Sequence, residues 1–254
     1  MWRLVAQIAF AIASFLGLIV HVQQLPAQVE PAAASILAQA LVASGANGAI
    51  QDTVATGNIA YWDGRSGTIT IKTKKDSRFR FDTTIDGKVT TSIVNAGKGR
   101  TVQGGTRRQL PMHVTQYLRA EHVPAFSRIA DYQQPHTKAT YVGLESVSGR
   151  PAHHLLISAT PSDNTPADIE DVIAEFHVFI DSSTLLVVKT ITNDFSPEII
   201  ENRTKVETYY SDFRPVAGMQ VPYRIERYIR DRIFSITTLT NVAANTGVPD
   251  SDFQ

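Results

Sequence analysis

The sequence predicts a mainly β protein with some helix: about eleven strands in one strongly curved antiparallel sheet, with an N-terminal helix and a broken helix inserted mid-sheet. Three observations predict it. Short runs rich in β-branched and aromatic residues recur between turn signals such as Asp63-Gly64, Asp86-Gly87 and Ser148-Gly149. Beyond the first 27 residues, helical spacing occurs in two places only, so strands do not alternate with helices as βαβ units would, which argues against a parallel sheet. Within the runs, apolar residues sit two apart with charged residues in the alternate phase, which gives a sheet one apolar and one wet face.

The elements follow in order. Residues 4–20 carry no charge and follow Arg3. A helix of that length reaches about 25 Å, short of a hydrocarbon core of about 30 Å. His21, Gln23, Gln24 and Pro26 end the run, and Ala27 supplies a small residue before Gln28, so residues 1–27 read as a signal peptide and 28–254 as one exported domain. Pro31 then suits a first helical turn, and Ile36, Leu37, Ala40 and Leu41 recur at helical spacing until Gly45 and Gly48. Four strands are expected at 52–62, 66–73, 77–83 and 88–94. Ile59 and Tyr61, Ile69 and Ile71, and Phe79 and Phe81 share one phase, with Lys72, Arg78, Arg80 and Asp82 in the other. The glycines of Gly97-Lys98-Gly99 and Gly104-Gly105 lack the spacing of a phosphate cradle and read as a pair of turns.

A second helical stretch covers roughly 111–133, where Val114, Tyr117 and Leu118, then Phe126, Ile129 and Ala130, keep the helical spacing and Pro124 divides it. Strands resume at 137–147, 151–159, 172–180, 185–193, 205–212, 219–229 and 232–242. Met219, Val221, Tyr223 and Ile225 alternate there with Gln220, Arg224 and Glu226. The inserted helices have one place to bury their apolar sides, against the concave face of the sheet.

Composition narrows the chemistry. Lys plus Arg and Asp plus Glu balance at 24 each, which leaves no basic excess for nucleic acid. Loss of residues 1–27 would remove Arg3 and no acid. The absence of cysteine excludes disulfides, a thiolate zinc site, a cysteine nucleophile and a lipidated N-terminal cysteine. No nucleophile-elbow, zinc-protease, phosphate-loop or dinucleotide motif is present, and no cofactor is implied. His153 and His154 are adjacent on a strand and point to opposite faces; His177 could share a face with Glu175, with no further ligand nearby. Glu145, Asp168, Glu170, Asp171, Asp181 and Asp212 are explained by loop solvation and turn capping. Arg224, Arg227, Arg230 and Arg232, interleaved with Glu226 and Asp231, read as a solvated outer face of mixed charge.

A curved open sheet with such a concave face leaves more apolar surface than two short helices cover. Either the helices fill it completely as core, or it takes a guest. Each buried methylene contributes about 0.8 kcal/mol, so one partly inserted acyl chain binds usefully without any catalytic group.

The order of elements resembles the exported LolA/LolB-like lipoprotein carriers: a leader, a helix with the small-residue run Ser35-Ile36-Leu37-Ala38-Gln39-Ala40, then a strand entering through Thr56-Gly57. Tyr141 to Glu145 with Gly149 to Ala152, Phe179-Ile180-Asp181, Ser211 to Arg214, and Val221-Pro222 resemble hairpins of the outer-membrane lipoprotein-sorting proteins. That resemblance implies an incomplete β-barrel of about eleven strands closed by the inserted helical lid, which an early-strand arginine latches, around a cavity that holds acyl chains in transit across a Gram-negative envelope. Arg65, Arg78 and Arg80 are the candidates. The function expected is a soluble, monomeric periplasmic carrier or chaperone for lipoprotein acyl chains or a similar lipid, with no bond chemistry and with transient partners at the inner and outer membranes. The alternative is an envelope sensor or interaction protein on the same fold. The residues expected to touch lipid are Ile59, Tyr61, Ile69, Ile71, Phe79 and Phe81 of the first strands and Val142, Leu144, Phe176 and Val178 of the later ones. Tyr117, Leu118, Phe126 and Ile129 form the lid's apolar side.

Overall fold

A computed structural model describes residues 29–45, 50–75, 78–95, 97–110, 115, 129, 131–133, 137–159, 176–196 and 199–254. The helix Pro31–Ala43 (α1) precedes a first group of strands: Asp52–Tyr61 (β1), Ser66–Lys74 (β2), Phe79–Ile85 (β3), Lys88–Asn95 (β4), Lys98–Gln103 (β5) and Thr106–Leu110 (β6). The second group is Thr137–Val147 (β7), Arg150–Ala159 (β8), Phe176–Asp181 (β9), Val187–Ser196 (β10), Ile199–Val216 (β11), Met219–Ile229 (β12) and Arg232–Ala244 (β13). All belong to one antiparallel sheet in the order β6-β5-β4-β3-β2-β1-β13-β12-β11-β10-β9-β8-β7. The pairing of β1 with β13 joins the two groups, and β6 and β7 are left as edges. The sheet is an incomplete barrel, as the resemblance implies.

Thirteen strands stand where about eleven were expected. The two additional ones, β5 and β6, lie between the glycine turns and have the sequences KGRTVQ and TRRQL. They end the sheet; β6 is almost wholly exposed and β5 buries only Gly99, so no apolar buried face imposes an alternation that a sequence reading could detect, and Arg107 and Arg108 keep the edge charged. The hairpin turns at Asp86-Gly87, Ser148-Gly149 and Ala217-Gly218 hold both residues at positive φ, the geometry that matches strand twist in two-residue turns.

The curl of the sheet follows from its contacts. Ser92 on β4 and Thr208 on β11 line one cavity although six strand steps separate them. In a flat sheet that interval is about 29 Å, so the sheet wraps round to bring them together.

Two apolar clusters occupy the inner face. Under α1, Ala33, Leu37 and Ala40 pack on Ala139, Leu155, Phe176, Val178 and Ile180 of β7 to β9. Ile36 and Leu41 are partly buried at the edge of this contact, while Val42 is exposed. The helix ends where Gly45, at φ +77°, passes so close to the β11–β12 turn that a Cβ would lie 2.0 Å from the Gly218 carbonyl oxygen. The Gln220 amide donates to the Ser44 carbonyl at 2.9 Å and fixes this junction. The second cluster joins Ala55, Ile59, Ile69, Ile71, Phe79 and Val94 to Val221 and Leu239.

The chain's last residues lie on the outer face. Phe253 is fully buried with Ile93 and Val248, the Lys72 ammonium meets Asp252 at 2.8 Å, and the Arg78 guanidinium meets Asp250 at 2.9 Å. Asp52 ties this tail to β1: Oδ1 accepts from the Thr246 amide and hydroxyl at 2.7 and 2.8 Å, and Oδ2 from the Gly247 amide at 3.0 Å. Burial pushes the Asp52 carboxyl up, but these hydrogen bonds outweigh it and hold it below its ordinary value.

Candidate functional site

Strand alternation turns Ile59 and Tyr61 of β1 and Ile69 and Ile71 of β2 to the inner face, and Phe81 of β3 stands directly opposite Ile71 in register. The curl brings Thr208 of β11 and Ile225 and Arg227 of β12 across from them. β13 supplies Phe234, Ser235 and Thr237, because an irregularity in its pairing with β12 at Arg227/Tyr228 sets Phe234 beside Ser235 on the lining. The space enclosed is about 120 Å³. A dry cavity of about 150 Å³ admits a benzene, so this one has room for roughly five carbons.

One wall is hydrocarbon: Ile59, Ile69, Ile71 and Phe81. The opposite wall carries a cation and hydroxyls. The Arg227 side chain is half-buried with its Nε shielded from solvent, and the guanidinium carbon lies 5.2 Å from the centroid of the Phe234 ring. Burial pulls it down to about 9, so it still carries its charge at neutral pH. Phe234 meets Tyr61 edge to face with ring centroids 5.6 Å apart.

Arg227 corrects the sequence reading. It does not belong to a solvated outer face; it continues the inward phase of Met219, Val221, Tyr223 and Ile225 by one more step. That signal was in the sequence, masked by the expectation that a charged residue faces water. Its neighbour Arg224 does lie with the polar phase, with Nε donating to Glu226 Oε1 at 2.7 Å. The early-strand arginines stand elsewhere. Arg65 pairs with Asp63 in an exposed turn, and Arg78 and Arg80 hold the C-terminal tail on the outer face.

The remaining expected residues are distributed as follows. Phe79 shares the inner face with Phe81, ring centroids 6.3 Å apart, and packs in the cluster behind the cavity. Phe176 and Val178 lie fully buried beneath α1, in the other cluster, and Ile129 packs with them. Val142 and Leu144 are 51% and 57% exposed on the edge strand β7, where the register with β8 shifts between Tyr141 and Gly143. Tyr117, Leu118 and Phe126 lie outside the described residues, as do the leader 1–27 and Gln28. Two described residues between β6 and β7 lie on the inner face: Thr115 against Gly99, and Ile129 in the α1 cluster.

The histidines form a chain on the outer face. His154 Nδ1 is 2.6 Å from Glu145 Oε1, its Nε2 is 2.8 Å from His177 Nδ1, and its ring stacks on Phe179 at 4.3 Å. His153 turns the other way, toward Tyr141. Glu175 lies outside the described residues. With one carboxylate and two histidines hydrogen-bonded to one another, the chain is a cross-strand support for β7 to β9 and is remote from the cavity.

A long antiparallel sheet, left open and curled round an apolar cavity with a helix on its inner face, is a fold this chain shares with solved structures. An outer-membrane lipoprotein-sorting protein domain from Vibrio parahaemolyticus matches 87% of this chain over 95% of its own, with a TM-score of 0.58 at 9% identity. A LolA superfamily protein from Nitrosomonas europaea matches 87% over 97%, with a TM-score of 0.54 at 14% identity. A DUF1329 family protein from Desulfovibrio piger matches the same shares, with a TM-score of 0.52 at 15% identity. At these identities the likeness is one of fold. No family model and no curated protein sequence matches the chain. Among the described residues no helix is long and apolar enough to cross a membrane.

Proposed function

We propose that the protein carries lipid: it binds an acyl chain, from a lipoprotein or a similar lipid, by reversible burial in the inner-face cavity and without bond chemistry. The observation that supports this most directly is the hydrocarbon wall of Ile59, Ile69, Ile71 and Phe81 beside open space on the concave side of an unclosed sheet. The fold shared with a lipoprotein-sorting domain and a LolA superfamily protein supports the same reading. In this proposal the leader 1–27 is cleaved on export and residues 28–254 work as a periplasmic monomer, loading and unloading at partners on the inner and outer membranes.

The test is transfer. Purified residues 28–254 should bind a fluorescent fatty acid and speed its exchange between donor and acceptor vesicles. Phe81→Asp, which puts a charge in the hydrocarbon wall, should abolish both while the protein keeps its fold. Binding without accelerated exchange, together with a stable complex in pull-downs from envelope extracts, would replace the carrier by an envelope sensor. No binding at all would end the lipid reading.

A further inference from the structure

Strands β2 to β6 carry eight lysines and arginines and one acid, Asp82, although the whole chain has 24 charges of each sign. Strand parity turns Lys72, Lys74, Arg80, Lys98, Arg100 and Arg107 to the outer face, away from the cavity. The C-terminal tail answers the first three. Asp252 takes the Lys72 ammonium at 2.8 Å, its carbonyl accepts from Arg80 Nη1 at 3.1 Å, and Asp250 takes Lys74. Asp82 is engaged as well, since Oδ2 accepts from Arg80 Nε at 2.8 Å and Oδ1 from the Thr91 hydroxyl.

Arg100 has no such answer. It follows Lys72, Arg80 and Ile93 along one cross-strand row. Its Nε and Nη2 are closed off from solvent and have no hydrogen-bond partner among the described residues. Sheltered donors are paired in nearly all folded proteins, so two unpaired ones on a single guanidinium point to a role. Burial pulls this guanidinium below its ordinary value, and the charges of Arg107 and Arg80 act in the same direction. Arg107 is its diagonal neighbour, two residues along β6 from Gln109, which stands opposite Arg100. Diagonal positions lie about 7–8 Å apart, a gap that two arginine side chains span. Arg107 is exposed and Arg100 half-buried, so turning two flexible side chains opens the pair to an anion at the sheet edge. One guanidinium fork satisfies a carboxylate, with its single charge and two oxygens. Two forks match a phosphate, with up to two charges and three oxygens.

We propose that Arg100 and Arg107 form an outer-face site for a phosphate group, free or as a monoester, held between their two guanidinium forks. The site lies on the opposite face of the sheet from the cavity and stands independently of the carrier reading.

Purified residues 28–254 are melted at constant ionic strength in chloride, acetate, inorganic phosphate and glycerol phosphate, and titrated calorimetrically with the last three. At a concentration about twentyfold over a Kd of about 1 mM, inorganic phosphate or its monoester should raise Tm by about 4 °C relative to chloride. Whichever of the two binds better tells whether the group is free or esterified. Acetate should bind about tenfold more weakly, since it fills one fork only. Arg100→Met should lower phosphate affinity by about tenfold or more, and Arg107→Gln by about fivefold. Arg107 is exposed, so Arg107→Gln decides if Arg100→Met does not fold. A wild type that melts no higher in phosphate or glycerol phosphate than in chloride overturns the proposal. So does a rise in Tm that survives in Arg100→Met, or undiminished affinity in Arg107→Gln. Acetate binding as tight as phosphate overturns it in favour of a site for a carboxylate.

Discussion

A homologous series of linear alcohols measures the cavity directly. Each methylene moved from water to an apolar site contributes about 0.8 kcal/mol, and about 1.4 kcal/mol is a tenfold change in affinity, so each added carbon should tighten binding about fourfold. The enclosed 120 Å³ holds roughly five carbons by comparison with a benzene-sized cavity. Affinity should therefore climb steeply over the first five or so buried carbons and flatten thereafter. Ile71 is buried in the wall between Ile69 and Phe81. Ile71→Ala removes about three carbons and leaves their space, so the break in the series should move outward by about that number, at a stability cost of about 2–5 kcal/mol. Displacement of a fluorescent fatty acid by butanol through dodecanol, run on both proteins with melting curves, gives the two slopes and the two breaks. A flat series in the wild type refutes the cavity as the binding site. So does an unmoved break in a folded Ile71→Ala.

Other consequences are open to simpler measurement. Phe253→Ala should destabilise the domain by about 3–5 kcal/mol by emptying the fully buried outer-face cluster, a fall in Tm of about 6–20 °C for a domain of this size; a fall of less than 3 °C would show the C-terminal tail to be detachable. Gly45→Ala should lose more than the roughly 1–2 kcal/mol of a left-handed residue, because its Cβ would meet the Gly218 carbonyl at 2.0 Å, whereas Gly64→Ala, at φ +86° with nothing within 4 Å, should lose only about that amount. Equal denaturant midpoints for the two would contradict the packing of α1 on the β11–β12 turn. Burial pushes the Asp181 carboxyl up, but hydrogen bonds from Ser183 and Thr184 outweigh it and hold it below its ordinary value. Its folded value thus lies below its unfolded one, so its contribution is complete above about pH 4 and fades as pH falls through the folded value. Asp181→Ala should lower urea stability by about 1–3 kcal/mol at pH 7, and the gap to wild type should close below pH 4; a gap independent of pH would exclude the carboxylate as its source.

Where burial imposed a period, the sequence could be read. The strands expected at 137–147 and 219–229 are β7 and β12 with the same bounds, and both hairpin-turn glycines that flank them sit at positive φ. Ile59, Tyr61, Ile69, Ile71 and Phe81 meet in one cavity because each shares its strand's inward phase and the sheet curls. Where an apolar buried face was absent, the signal was absent too: the edge strand β6 is exposed and polar, and β5 beside it buries only Gly99. Val142 and Leu144 follow an apolar alternation that a bulge interrupts on an edge strand, and they emerge in solvent. Phe176 and Val178 have the right phase, but which helix covers which part of a face is a tertiary matter, and α1 lies over them. Arg227 was misread because charge was allowed to outrank parity. The sheet's own alternation placed it correctly.

Mass spectrometry of lipid extracted from natively purified residues 28–254 is the most direct measurement of what the cavity is for. Acyl-bearing species should copurify with the wild type at close to one per chain and be lost from a folded Phe81→Asp. A wild-type protein that carries no acyl species, and that binds no fluorescent fatty acid when offered one, would contradict lipid carriage.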